Sequence, residues 1–348
     1  MTQTSVTDTR LSTFFEHQAR LALFHSQLWL DLITQLYGYS PITLTTTDGM
    51  GQITGALPLC FLQSPLTGGR LVSLPFSDHC PLFAVDDTSA NGLIDQAIRL
   101  AQEKRVKYLE LRTGNNDVLA KRSDLMEGNL YVSWHMPLTA DPHAVWSGLR
   151  KPVQRQIRKS EKLGVKIRFA VHREDMAQYY RLHLSTRNKK HGIPSQPRRF
   201  FFELWDAYAA SGGMHLLLAE YEGSVIAGMV LLAGGTTVKY AYGASDEDYL
   251  NLAPNNLLFW TAISWACTHG YQTLDLGRTA RDNEGLMEFK RRWGAIEKPL
   301  PYYYYPHMVG LSATSESDWK FRLFTTCWKR LPLPLAGSLG GYLYQHLG

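Results

Sequence analysis

The sequence predicts an α/β fold of two tandem domains, each with a mixed sheet flanked by helices. Its 348 residues suffice for two domains of roughly 150 residues each. A hydrophobic share of 45% and a charged share of 19% are typical of a globular chain. The same order of hairpin, strand, helix and strand also occurs twice along the chain, which indicates an internal duplication.

The first half begins this order with a hairpin. The apolar runs PITLTTT and QITGALPLCFL flank Asp48-Gly49, a strong turn signal between strands. The run RLVSLPF predicts a further strand, residues 92–104 have helical periodicity, and KYLELR predicts the next strand. A strand, a helix and a strand in succession favour a mixed sheet.

The second half repeats the pattern. Two helices are expected at about 174–190 and 199–210, followed by the hairpin HLLLAEYEGSVIAGMVLLA and the strand TVKYAYGA. A helix follows over 253–269, with Pro254 at its start and Gly270 at its end. QTLDLGR then predicts a strand, and the YYYYP run is expected to form the last one.

The two copies can be aligned at the hairpin glycines, Gly55 and Gly228, and at the arginines that end the post-helix strands, Arg112 and Arg278. Their offsets are 173 and 166 residues. We therefore expect domains at 1–140 and 141–307, the second bearing the site. A C-terminal segment, 308–348, follows them.

Several function classes find no support in the sequence. The four cysteines are scattered, no His-x-x-x-His pair occurs, and P-loop, Gly-x-Ser-x-Gly and Gly-x-Gly-x-x-Gly patterns are absent, so no metal site is expected. The first residues lack the features of a signal peptide, and no run of about 18 apolar residues occurs. A cytoplasmic location is therefore expected.

Three segments carry a family resemblance: LVSLPFSDHCPL at 71–82, STRNKKHGIP at 185–194, and APNNLLFWTAISWACTHGYQTLDLGRT leading into GLMEFKRRWGA at 285–295. Together they resemble the Fem-type peptidyltransferases and their acetyltransferase-like (GNAT) relatives in envelope and exopolysaccharide clusters, over nearly the whole chain. The resemblance implies two tandem acetyltransferase-like domains, with the acceptor bound between or beside them.

Two departures from the family leave two donors open, acyl-CoA and aminoacyl-tRNA. Either one would act as a co-substrate, and no tightly bound cofactor is expected. The helical hairpin that some peptidyltransferases use to contact tRNA has no counterpart here. The glycine-containing acyl-CoA signature is also missing before Pro254.

Three residues are candidates for the chemistry, which passes through a tetrahedral oxyanion and needs a fixed cation or donors. The resemblance associates Lys290, in the motif that also contains Phe289 and Trp293, with phosphate or oxyanion charge; a solvated lysine is the alternative. Replacing Lys290 is expected to lower turnover about ten- to a thousand-fold with the fold intact. Arg278 ends a strand, and Asp275 either orients a cation, accepts a proton or is structural.

A second group is expected to bind substrate. Phe289 and Trp293 belong to it, as do Tyr242 at a strand end and Asn255 and Asn256 in the first turn of a helix, where unpaired N–H groups attract anions. Core packing and helix capping are the alternatives. Arg187 begins a stretch, 187–199, with five basic residues and no acid, suited to phosphate.

Positive charge is concentrated in the second part of the chain. Residues 1–140 have ten Lys/Arg and thirteen Asp/Glu, whereas 141–348 have 26 and 18. Residues 150–168 contain eight basic residues and one acid and predict a helix with a basic face. This face is either simply solvated or attracts an anionic precursor or tRNA. The basic, aromatic residues 312–348 either contact the inner membrane peripherally or pack on the first domain.

The residues and the resemblance together predict an N-acyltransferase. It would transfer an acyl or aminoacyl group to an amino group of a cell-envelope or exopolysaccharide precursor. Alternatives are an acyl-CoA-dependent acetyltransferase acting on a sugar amine, and a non-catalytic, membrane-associated adaptor in polysaccharide assembly.

Overall fold

A computed structural model describes residues 3–4, 9–16, 26–65, 67–307 and 319–346. The chain divides into two compact units. The first comprises Met1–Val132 with Pro299–Ser315 and Gly348, and the second comprises Ser133–Lys298 with Glu316–Leu347. The boundary between 132 and 133 lies eight residues before the expected one.

The first unit is a sheet with one long helix across it. Its strands follow the spatial order β1-β2-β3-β4-β6 and are antiparallel except for the parallel pair β4 and β6. The elements are β1 (Gln3–Thr4), α1 (Thr9–Glu16), α2 (Gln27–Tyr37), β2 (Ser40–Thr47), β3 (Ile53–Ser64), β4 (Gly68–Val72), β5 (Phe83–Ala84), α3 (Asp87–Glu103), β6 (Leu109–Leu111) and α4 (Asp117–Ala120). The side chain of Asp86 caps α3, whose apolar face packs on the sheet.

The strand β7 (Met126–Pro137) contains residues of both units. The second unit follows with α5 (Pro142–Gly148), α6 (Lys151–Lys162), β8 (Lys166–Phe169), α7 (Asp175–Ser185), a π-helix (Thr186–His191), α8 (Arg198–Tyr208), β9 (Met214–Tyr221), β10 (Ser224–Gly234), β11 (Thr237–Ser245), a 3₁₀ segment (Glu247–Leu252), α9 (Pro254–Thr268), β12 (Thr273–Ala280) and α10 (Glu284–Arg292). The chain continues through β13 (Ile296–Tyr305), α11 (Trp319–Lys329) and α12 (Leu333–Tyr344).

The two units repeat one arrangement, as the sequence predicts. The second sheet runs β8-β9-β10-β11-β12, with β11 and β12 parallel and α9 between them in the chain, as α3 lies between β4 and β6. A Cβ on Gly55 would lie 2.7 Å from Thr46 Oγ1, and one on Gly228 would lie 2.8 Å from Tyr179 Cδ2. Both hairpins therefore need glycine for close packing, and the tandem α/β fold is confirmed.

The tyrosine run forms a strand, but in a different place from the one expected. Tyr303 to Tyr305 of β13 pair antiparallel with Leu111 to Leu109 of β6, inside the first unit. Tyr302, Tyr303 and Tyr304 are buried there. Apolar rings need a sheet to cover them, and the first unit supplies it.

The described C-terminal helices, α11 and α12, pack within the second unit. Asn188 Nδ2 donates to the carbonyl of Trp328 at 2.9 Å. A Cβ on Gly192 would lie 2.6 Å from the carbonyl oxygen of Thr325, so glycine permits the close approach of α11. Residues 308–318 and 347–348 of the expected C-terminal segment lie outside the described residues. Among the helices that are described, none is both long enough and apolar enough to span a bilayer.

Candidate active site

The candidate site is a fork between two parallel strands. β11 and β12 pair at only three positions, from Thr237 with Thr273 to Lys239 with Asp275. Beyond this point each strand continues, over 240–245 and 276–280, without pairing with the other. No β-ladder joins these two segments, and a gap opens between the strands. Part of their backbone is bonded to side chains instead: Gly277 and Arg278 to Asp275 and Lys290, and Ser245 to Thr186.

An ion pair marks the base of the fork. Lys239 Nζ lies 2.9 Å from Asp275 Oδ2, and the other oxygen of Asp275, Oδ1, accepts a 2.7 Å hydrogen bond from the backbone N–H of Gly277. Both carboxylate oxygens of Asp275 are therefore engaged. This geometry fits an orienting or a structural role for Asp275.

Lys290 is buried, with 4% of its surface exposed, and it reaches from α10 to the end of β12. Its ammonium donates to the backbone carbonyls of Gly277 and Arg278, both at 3.0 Å. Gly277 has a φ of 73°, a conformation that strongly favours glycine. Lys290 is thus no solvated surface lysine: it fixes the backbone where β12 turns, directly beside Arg278.

The aromatic residues of the lysine motif hold α10 in place. Trp293 is 1% exposed and stacks on Phe259 of α9 at a centroid distance of 5.2 Å. Phe289 is half-buried and meets the same ring edge-on at 5.4 Å. Trp293 therefore packs in the core behind Lys290 rather than facing a substrate, because its side chain has almost no accessible surface.

Arg278 and Tyr242 occupy equivalent positions on the two sides of the fork. Each lies three residues beyond the last paired position of its strand, and each is half-buried. A bulge at Ala241 interrupts the pairing of β11 with β10 just before Tyr242, which redirects the strand there.

Tyr242 lies against an aromatic cluster on α7 and α8. Its ring is edge-on to Phe200, Phe201 and His183 at 5.8, 5.3 and 6.3 Å. His183 Nε2 lies 2.8 Å from Gln196 Oε1, and Tyr179 Oη lies 3.5 Å from His183 Nδ1. Burial lowers the pKa of His183 to about 3, so the ring is neutral: Nε2–H donates to Gln196, and Nδ1 accepts.

Arg187 lies next to this cluster. Its guanidinium donates from Nε and Nη2 to the carbonyl of Pro194, at 3.3 and 3.1 Å. Burial lowers the pKa of Arg187 from its usual value. The phenols of Tyr344 and Tyr242 are near enough to act on that pKa in the opposite direction. A partly dehydrated cation of this kind is suited to an anionic group.

A hydrogen-bond network ties three elements together at the open end of β11. Thr186 Oγ1 donates to the carbonyl of Ser245 and accepts from its N–H, both at 3.2 Å. Asn255 Nδ2 donates to Ser245 Oγ at 3.2 Å. The segment with Arg187, the end of β11 and the start of α9 are therefore joined, which brings Arg187, Tyr242 and Asn255 into one neighbourhood.

Asn256 is half-buried, and its backbone N–H donates to the carbonyl of Ala253 at 3.1 Å.

The site also contains residues that the sequence did not indicate, and most of them are hydrogen-bond partners of the candidates: Lys239, Gly277, His183, Thr186 and Ser245. Only Gly277 had a signal, because an isolated glycine within a strand indicates a bulge or a close backbone approach. No metal-binding cluster of His, Cys, Asp or Glu occurs in the part of the chain that the structure describes.

The part of the chain that contains this site is similar to known proteins. A family model described as an acetyltransferase (GNAT) domain matches residues 147–291. The chain is also 37% identical over 82 residues to the lipid II:glycine glycyltransferase of Staphylococcus epidermidis, a match that covers 22% of this chain and 20% of that protein. A lipid II:glycine glycyltransferase of Staphylococcus aureus is 34% identical over 79 residues. The matched segment is only about a fifth of the length of these relatives.

Solved structures share the fold over most of the chain. A crystal structure of FemX has a TM-score of 0.68 at 17% identity, and the match covers 88% of this chain and 97% of that one. A tandem GNAT protein from the clavulanic acid biosynthesis pathway has a TM-score of 0.56 at 12% identity, with the same two coverages. At these identities the likeness establishes the tandem fold alone.

Lys290→Met is predicted to lower both stability and transfer activity. Methionine keeps most of the aliphatic stem but leaves two buried carbonyls without their donor, which costs about 1–3 kcal/mol. The fold is therefore not expected to be unaffected, in contrast to the expectation from the sequence. Thermal unfolding and turnover are compared with those of Lys298→Met, a change at an exposed lysine. Equal melting temperatures and equal turnover for the two variants would contradict the assigned role.

Stability is predicted to fall as the pH drops from about 7 towards 4. The folded-state pKa of His183, about 3, lies below the usual 6.5, so in this range the unfolded chain binds a proton that the folded chain does not. His191, with a pKa lowered to about 4, has the same sign. Urea midpoints measured across this range are expected to vary less with pH in His183→Gln than in wild type. His172→Gln, at an exposed histidine, is expected to retain the wild-type slope.

Proposed function

We propose, from the similarity of this chain to Fem-type peptidyltransferases and from the match of residues 147–291 to a GNAT domain, that it transfers an aminoacyl or acyl group to an amino group of a cell-envelope precursor. The observation that carries the proposal is the fork between β11 and β12. It offers a gap between two strands for an extended donor, with Arg278 on one side and Tyr242 on the other. Acyl transfer needs this combination of positioning and charge stabilisation.

The proposed reaction is direct aminolysis. The amine nitrogen of the acceptor attacks the carbonyl carbon of the donor, a C–N bond forms, and the ester or thioester bond to the leaving group breaks. The attacking nitrogen loses a proton, and the departing oxygen or sulfur gains one. Negative charge develops on the carbonyl oxygen between these events, and Arg278 is proposed to stabilise it.

Lys290 is proposed to act on this step through the backbone. Because its ammonium binds the carbonyls of Gly277 and Arg278, it sets the direction in which Arg278 leaves the strand. Asp275 supports the same turn from the other side, through the N–H of Gly277. Tyr242, Asn255 and Asn256 are proposed to shape the opposite wall of the site.

The start of α9 supports an aminoacyl ester as donor over acyl-CoA. A helix N-terminus binds a pyrophosphate through its free N–H groups. Here Pro254 has no N–H, and the N–H of Asn256 is already bonded to Ala253. This leaves few donors for the diphosphate of CoA.

The exposed face of α6 supports a nucleic acid as carrier of that ester. Val153, Gln154 and Ile157 are buried, whereas the basic residues of the helix point to solvent. These exposed residues are Lys151, Arg155, Arg158, Lys159 and Lys162. A row of like charges of this kind attracts a polyanion such as tRNA.

The acceptor is proposed to be an anionic envelope precursor with a free amine. Arg187, bonded to Pro194 and next to Tyr242, is a suitable partner for its phosphate. The staphylococcal relatives are lipid II:glycine glycyltransferases, which supports a precursor of the peptidoglycan type. The exopolysaccharide alternative gains no support from these relatives, nor does the adaptor alternative.

The purified protein is predicted to add an amino-acid mass to lipid II, or to a precursor in an envelope extract, when supplied with mixed aminoacyl-tRNAs. RNase treatment should abolish the gain. A mass gain that needs an acyl-CoA instead would favour the acetyltransferase alternative. No gain with either donor, from a folded protein, would contradict the transferase proposal and favour the adaptor.

A charge variant tests the proposed carrier. Arg155→Gln, Lys159→Gln and Lys162→Gln together neutralise one side of α6. Binding to tRNA is expected to weaken, and its dependence on salt to become shallower by about one unit of log–log slope for each phosphate that is no longer neutralised. The matched control neutralises three exposed basic residues of the first unit, Arg99, Lys104 and Lys121, and should bind tRNA as wild type does. Equal weakening by both triple variants would remove α6 from the proposal.

A further inference from the structure

The helix α12 has an inverted distribution of residue sizes. The side that faces the protein is formed by small residues: a Cβ on Gly340 would lie 3.0 Å from Ser195 N, and one on Gly341 would lie 3.1 Å from Pro197 Cβ. Ala336 is also buried on this side. In a surface helix of a globular protein the large apolar side chains normally face inward. Here they must lie elsewhere.

They face outward. Leu335, Leu339 and Tyr342 follow one another at helical spacings of four and three residues, which places them on one side of α12. Their exposed fractions are 55%, 46% and 57%. We call these three residues the apolar stripe. Among the described residues these three side chains stay exposed on one side of one helix, and exposed apolar surface of this kind marks interaction sites.

The neighbouring helix α11 adds further apolar surface. Leu323 and Phe324 are exposed, and Phe324 stacks on the buried Trp328. Five of the fifteen large apolar side chains that are exposed among the described residues therefore lie within residues 319–346. Single exposed apolar residues are ordinary, but this concentration is not.

The charge of the same region identifies the partner. Residues 319–346 contain four Lys/Arg and no Asp or Glu. Arg322, Lys329 and Arg330 are exposed at the two ends of α11. An apolar stripe with exposed basic residues beside it is the combination that binds an anionic bilayer surface, where apolar side chains enter the headgroup region and cations meet lipid phosphates. A polar protein surface would not cover the apolar stripe, and an uncharged partner surface would not pair with the basic residues beside it.

We propose that α11 and α12 form a docking surface for an anionic phospholipid membrane, with the apolar stripe inserted at the interface. At 12 residues, α12 is too short to span a bilayer. The same two helices pack against the segment with Arg187. In that segment, Asn188 and Gly192 contact α11, and Ser195 and Pro197 contact α12. Docking would therefore place Arg187 and the Tyr242 side of the fork next to a lipid surface.

The test is flotation with vesicles of phosphatidylglycerol and phosphatidylcholine, using the full chain. Wild type is expected to float with these vesicles, less with pure phosphatidylcholine and less at high salt. Leu335→Ser, Leu339→Ser and Tyr342→Ser combined are expected to lower the bound fraction at least about tenfold. The matched control combines Met50→Ser, Val85→Ser and Val171→Ser, which are more exposed, at 84%, 62% and 72%, and should float as wild type does.

Three results would overturn the proposal. Wild type does not float with anionic vesicles, or the stripe variant and its control lose binding equally. Alternatively, light scattering shows a wild-type dimer that the stripe variant converts to a monomer, in which case a second copy covers this surface. Flotation needs neither donor nor acceptor, so its failure is separable from a failure of the proposed transfer reaction.

Discussion

The candidate site depends on one buried ammonium group. Lys290 comes from α10, yet its ammonium donates to carbonyls of β12, at Gly277 and Arg278. A buried cation is tolerated only when its N–H groups are paired, so helix and strand must stay in register with each other. The positive φ of Gly277 and the bond from its N–H to Asp275 complete the turn. The position of Arg278 is a consequence of these interactions.

The other side of the fork is fixed by neutral groups. Thr186, Ser245 and Asn255 connect the π-helix, β11 and α9 by hydrogen bonds, and His183 is held neutral among aromatic rings. π-Helical turns often occur at functional sites because they place side chains where a regular helix would not. The C-terminal helices pack on this segment, so an interaction at the protein surface can affect the wall of the site.

Local signals in the sequence predicted the elements well, since they depend on nearby residues. Asp48-Gly49 does form a turn: Asp48 Oδ1 accepts from the N–H groups of Met50 and Gln52. Pro254 begins α9 and Gly270 follows its end, as the capping pattern predicts. The duplicated order also followed from the sequence, because both halves use the same hairpin and helix signals.

Contacts between elements that are distant in the sequence could not be predicted from it. Nothing local indicates that the tyrosines of β13 pair with β6 of the first unit, or that Lys290 is buried in a helix otherwise rich in exposed charge. The partners of Lys290 are backbone carbonyls, which every residue possesses, so no residue type identifies them. The sequence motif around Trp293 predicts substrate binding. The motif does not show that Trp293 packs on Phe259, because Phe259 belongs to a different helix, α9.

The central claim is that the turn at Gly277 positions the transfer site, and one pair of variants tests it most directly. Gly277→Ala and Gly294→Ala both force alanine into a left-handed conformation, with φ values of 73° and 81°. Gly294 is exposed and lies outside the fork. With both variants folded, we expect kcat/KM for transfer to fall at least about tenfold for Gly277→Ala and to stay near wild type for Gly294→Ala. Equal values for the two variants would contradict it.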